Sequence, residues 1–105
     1  TLNMAVNYGG RQEIAEAVKK ALIEKKDPDE VTESYISSLL YTAGQPDPDL
    51  IIRTSKETRI SNFLLYQAAY SELYFTKTLW PDFDEAQYAK ALKSYAKRKR
   101  RFGGI

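Results

Sequence analysis

Two arginines, a serine and a glutamate are the residues of this chain whose types and spacing could do chemistry. Arg53, Arg59 and Ser61 fall in one polar stretch, and Glu72 follows a short way downstream. A guanidinium offers a planar fork of donors that matches phosphoryl oxygens, so two of them converging on one place would make charge-assisted, bidentate contacts. Ser61 stands immediately before Asn62, Phe63, Leu64 and Leu65 and predicts a helix N-cap. The first turn behind such a cap presents unpaired amides and the positive end of the helix dipole, which favours an anion. The local reading is a phosphate or diphosphate cradle. The same arginines could instead be solvated loop cations paired with Glu57 or Asp49, and spacing alone leaves both readings open.

The elements that must position these residues can be read from the flanks. Leu50, Ile51 and Ile52 form an apolar run bounded by Pro46, Asp47, Pro48 and Asp49, the pattern of a strand covered on both faces in a parallel sheet. Arg53 then stands at the carboxyl end of that strand, where open parallel sheets place their ligands. Phe63, Leu64, Leu65, Ala68, Ala69 and Tyr70 leave almost no polar face, so the spacing predicts a buried helix behind Ser61. Glu72 ends that run and precedes the strand-like Leu73, Tyr74, Phe75 and Thr76. An acid against so much apolar surface needs a partner or a metal.

Around this centre, Leu2 to Asn7 reads as a strand, Gly9 and Gly10 as a tight turn rather than a phosphate loop, and Arg11 to Lys26 as a helix. Asp27, Pro28 and Asp29 break the chain before a second helix from about Asp29 to Tyr41. After Leu79 to Phe83, Asp82 and Glu85 resemble a capping box that opens a last helix to about Arg100. Alternation of strands and helices predicts an α/β fold with a mainly parallel sheet flanked by helices, within one domain over residues 1–105. The tail Lys97 to Gly104 is the one strong charge run. It reads as a solvated helix end, a nucleic-acid or membrane-surface patch, or an arm that grips phosphate.

Composition narrows the chemistry. The chain has 105 residues, 43% hydrophobic and 29% charged, with a net charge of +2, which gives no general case for nucleic acid. It contains no cysteine and no histidine, which excludes disulfides, thiol catalysis, a zinc site of the usual kind and any His-dependent triad. No signal peptide is visible, and a start at Thr1 directly into an apparent strand leads us to expect part of a longer protein.

The run DPDLIIRTSKETRISNFLLYQAAYSELYFTKTLWPDF resembles the C-terminal signature of the cis-prenyltransferases, most nearly the bacterial undecaprenyl diphosphate synthases. NYGGR at Asn7 to Arg11 and RRFGG at Arg100 to Gly104 are similar to the same family in the same order, so the likeness spans nearly the whole chain. The resemblance implies that Arg53, Arg59, Ser61 and the Ile60 peptide grip the diphosphate of isopentenyl diphosphate, and that Glu72 helps to bind Mg2+. It implies further contacts from the tail at Arg101 and Gly103, and no catalytic residue within this portion. It also implies an allylic diphosphate co-substrate, a Z-polyprenyl diphosphate product serving as a lipid carrier, a homodimer, a cytoplasmic location and peripheral membrane association through product. The N-terminal half of the family fold, with its phosphate loop and most of its apolar tunnel, has no counterpart here. The chain departs from the family at Lys56, where glycine is usual, and at Tyr66, where tryptophan is common. A non-catalytic partner subunit of the same fold should have lost the phosphate ligands, and a small basic nucleic-acid-binding module would rest on the tail alone.

Overall fold

The computed structural model describes residues 1–98, 100 and 102. They form two compact units, one of residues 1–46 with 62–66 and one of residues 47–61 with the chain from 67 onward.

In the first unit, α1 (Gly10–Ile23) buries Gly10, Glu13 and Ala17, three positions that share one helical face. A 3-10 turn, Pro28–Glu30, follows the break at Asp27. The next helix, α2 (Glu33–Leu39), is shorter than expected because Thr32 caps it late, its hydroxyl accepting from the Tyr35 amide at 3.1 Å. Glu13 is 2% exposed, yet its carboxylate is satisfied: it accepts from the Tyr8 hydroxyl and, at 2.8 Å, from the Tyr41 amide. The Tyr8 ring packs edge-on against Tyr41 and Phe63.

Residues 2–7 do not form the predicted strand. Leu2, Met4 and Val6 are 87%, 82% and 76% exposed, and among the described residues no strand pairs with them. An isolated extended segment has no ladder to hold it, so its apolar alternation is not enough. The expected strand-to-helix turn at Gly9 and Gly10 is not found either: Gly9 is the extended N-cap of α1 and Gly10 its first residue, and what the two glycines allow is close packing. A side chain at Gly10 would stand 2.8 Å from Leu65 Cγ and 3.0 Å from the Asn62 carbonyl oxygen. The amides that a phosphate loop would offer are already taken, Gly10 N–H by the Asn62 carbonyl at 2.7 Å and Arg11 N–H by its side-chain oxygen at 2.9 Å.

In the second unit, β1 (Leu50–Arg53) and β2 (Glu72–Phe75) pair in parallel, Leu50 opposite Glu72 and Arg53 opposite Phe75. The parallel α/β reading is borne out here, with one difference. All four β1 residues are half-buried rather than covered on both faces, since the described sheet has two strands. A 3-10 turn at Trp80–Asp82 precedes α3 (Glu85–Ala96), which packs on β2 and buries Ala91 completely. Its cap is Asp84, accepting from the Gln87 amide at 3.0 Å, and not Asp82, which lies within the turn.

The predicted helix over 62–70 is absent. Ser61, Asn62 and Leu64 hold left-handed backbone with φ of 52°, 65° and 48°, and residues 61–70 run as successive turns. The cause is competition for hydrogen bonds. The Asn62 carbonyl that should receive the Tyr66 amide in a helix receives Gly10 instead.

Candidate functional site

The parallel ladder continues one bond beyond β1, with the Thr76 amide donating to the Arg53 carbonyl at 2.9 Å. Beyond that point the chain turns sharply. Ser55 and Lys56 both adopt φ of 63°, and the turn is held from the side by Ser55 N–H on the Thr78 carbonyl (2.8 Å) and Lys56 N–H on the Thr76 carbonyl (3.2 Å). Glu57 N–H closes back on Thr54 at 3.3 Å. Thr78 is itself tied to α3 through its hydroxyl on Gln87 at 3.3 Å. A loop with its amides committed in this way keeps a defined shape without a helix behind it.

This frame brings Arg53 and Arg59 together. Arg53 is half-buried at the strand end and donates from Nη1 to the Arg59 carbonyl at 3.1 Å, so one arginine fixes the backbone that carries the other. The Arg59 side chain is exposed and, among the described residues, neither it nor Lys56 meets a carboxylate. The alternative in which Glu57 or Asp49 neutralises these arginines is therefore not the arrangement found. Ile60 is half-buried and Ser61 exposed at the end of the same loop. Ser61 is not a helix N-cap, because no helix follows it, and the helix-dipole contribution to anion binding falls away. Its hydroxyl and the local amides remain.

Glu72 lies elsewhere. It opens β2 opposite Leu50, three register positions from the level of Arg53, which at the rise of a strand is about 10 Å. Its Oε2 accepts from Arg98 Nη1 at 3.3 Å, and the same guanidinium donates to the Leu73 carbonyl at 2.6 Å and reaches Ser94 Oγ at 3.5 Å. Arg100 makes a matching set beside it, to Asp49 Oδ1 at 2.5 Å, the Tyr70 carbonyl at 2.8 Å and the Tyr95 hydroxyl at 3.1 Å, with the Phe102 ring 4.4 Å beneath. These two cations of the basic run are thus structural clasps across the amino ends of β1 and β2, a role that none of the three sequence readings of the tail contained. The signal lay in Asp49, just before β1, and Glu72, which opens β2, but only the register, with Leu50 opposite Glu72, brings them near one another. Arg101 and Gly103, the expected tail contacts, lie outside the described residues.

Among the described residues no three His, Cys, Asp or Glu side chains gather into a metal-holding group. Glu72 fits a more limited role. Its Oε2 is engaged by Arg98, so this half-buried carboxylate could offer Mg2+ only its second oxygen, which suits an ion that keeps several waters and takes its other ligands from phosphate oxygens.

The undecaprenyl diphosphate synthase family model (Prenyltransf) matches residues 1–103. The chain is 56% identical over 104 residues to an isoprenyl transferase of Aquifex pyrophilus, covering 99% of this chain and 44% of that protein. It is 57% identical over 105 residues to one of Fusobacterium nucleatum, covering 100% and 44%. Among solved structures, lavandulyl diphosphate synthase from Lavandula x intermedia, crystallised with dimethylallyl diphosphate, is similar with a TM-score of 0.87 and 44% identity over 94% of this chain and 44% of that one. The chain thus spans less than half the length of these relatives. A match over nearly all of its residues, in sequence and in fold, makes this chain a member of the undecaprenyl diphosphate synthase family of prenyltransferases, corresponding to their C-terminal portion.

Proposed function

We propose that this chain supplies the isopentenyl diphosphate site of a prenyltransferase that condenses that substrate with an allylic diphosphate into a Z-polyprenyl diphosphate, a lipid carrier of the undecaprenyl type. The observation that carries the reading is the hydrogen bond from the Arg53 guanidinium to the Arg59 carbonyl, which fixes the backbone of a second arginine on the loop at the carboxyl end of a parallel strand, with no carboxylate paired to either arginine among the described residues. Arg53 and Arg59 would bind and orient the diphosphate by charge-assisted contacts, with Ser61 and the Ile60 peptide as neutral donors. Fixing the diphosphate fixes the direction in which the isopentenyl chain leaves it, which is the part of the reaction these residues control. Glu72 would hold Mg2+, whose chemistry when bound is to offset charge on a departing diphosphate. The complete enzyme would work in the cytoplasm as a homodimer and meet the membrane through its product, with no nucleic acid involved.

Calorimetric titration of isopentenyl diphosphate tests the site directly. Arg53→Ala and Arg59→Ala should each weaken binding by about 10- to 150-fold, the loss of one contact to a charged group. Unchanged affinity in both variants would refute the clamp. Glu72→Gln should leave that affinity nearly intact and instead weaken Mn2+ binding measured by electron paramagnetic resonance, since the amide keeps the shape but loses the charge.

A further inference from the structure

Arg53 and Arg59 are not the loop's only cations: Lys56 lies midway between them. Its place is unusual for two reasons. Its backbone is held at φ of 63°, directly after Ser55 at the same angle, a conformation that side chains with a Cβ rarely adopt. It is also exposed and, among the described residues, has no ion pair, whereas Arg98 and Arg100 of the basic run are matched with Glu72 and Asp49. The backbone hydrogen bonds from Ser55 and Lys56 to Thr78 and Thr76 hold the strained turn in place from outside the loop. Strain that the surroundings maintain lies here between two arginines that, like Lys56, have no ion pair among the described residues, which is how a prepared anion site would be built.

We propose that Lys56 is the third cation of the clamp and selects a diphosphate over a monophosphate. This deepens the diphosphate reading of the loop and rests on it. Two guanidinium groups can serve the first phosphoryl group, and a mobile ammonium on a long stem adds a point charge for the second. A monophosphate presents no second group for Lys56 to meet.

The test titrates inorganic diphosphate and inorganic phosphate separately into the chain and into Lys56→Gln, Lys56→Gly, Arg53→Ala, Arg59→Ala and, as a remote control on α3, Lys90→Gln. Lys56→Gln removes the charge but keeps the length, and Lys56→Gly also relaxes the backbone, so any folding defect of one variant is separated from the loss of charge. Both Lys56 variants should bind diphosphate about 10-fold more weakly, with phosphate binding changed by less than about threefold, and diphosphate binding should become less sensitive to salt. Lys90→Gln should match the parent. Parental diphosphate affinity in both Lys56 variants, while Arg53→Ala and Arg59→Ala weaken it, would overturn the Lys56 assignment alone. No effect from the arginine variants would overturn the clamp and this inference together. An equal loss with Lys90→Gln would reduce Lys56 to general surface charge and overturn the assignment as well.

Discussion

Tyr8 donates its hydroxyl to Glu13, and burial, followed by that hydrogen bond and the charge of the carboxylate, raises its pKa well above the ordinary tyrosine value of 10.0. The sign follows from linkage. The neutral phenol is favoured in the folded state, so its contribution is complete below pH 10 and is lost as pH climbs toward the raised value. Tyr8→Phe should cost about 1 to 2 kcal/mol at neutral pH, because Glu13 loses a partner while staying buried, and should flatten the alkaline fall in urea midpoint. At Lys56 the expected change is opposite in sign. Glycine there removes a left-handed penalty of about 1 to 2 kcal/mol, less its own entropic cost, so Lys56→Gly should raise the urea midpoint by about 1 kcal/mol in stability terms while impairing diphosphate binding. The place of Arg53 at a strand end was legible in the sequence because Pro-Asp punctuation and an apolar run mark where a strand stops. The left-handed residues Ser61, Asn62 and Leu64 were not legible, since none is glycine and only a distant hydrogen-bond partner selects that conformation.

At the level of elements, β1 fell on Leu50–Arg53 as expected and β2 within one residue of it, while the helices shortened to their caps at Thr32 and Asp84. Those are local signals, carried by side chains next to the boundary they set. The run 62–70 failed for the converse reason: its apolar periodicity is helical, but the Asn62 carbonyl is bonded to Gly10, far away in sequence. The basic run failed in the same way, because Arg98 and Arg100 find their partners on other elements. Arg98→Ala should remove a short bond to the Leu73 carbonyl and leave a half-buried Glu72 without its cation. Allowing for partial solvent screening, the expected loss is about 1 to 2 kcal/mol, read from thermal unfolding, with Arg98→Lys recovering only part of it because an ammonium cannot span carboxylate, carbonyl and hydroxyl in one plane.

For the whole molecule, the chain spans about 44% of its relatives while Leu2, Met4, Val6, Leu22, Ile23 and Trp80 stand mostly exposed. Apolar surface on this scale favours association. Sedimentation of the isolated chain should show a dimer or larger assembly, and it should not turn over isopentenyl diphosphate by itself; a monomer with full turnover would refute both. The path of the chain between the strands has a kinetic consequence. Residues 54–71 join β1 to β2, yet Asn62–Tyr66 within that connection belong to the unit built on α1. Neither unit is a continuous length of polypeptide, so pairing the strands closes a connection whose middle residues pack with a different part of the chain. Long-range pairing of this kind is slow to nucleate, because the entropy of the closed loop is lost before any contact repays it. Refolding followed by the single tryptophan, Trp80, and by far-ultraviolet circular dichroism should therefore give one common rate, with the two halves of the chain acquiring their structure as a single event.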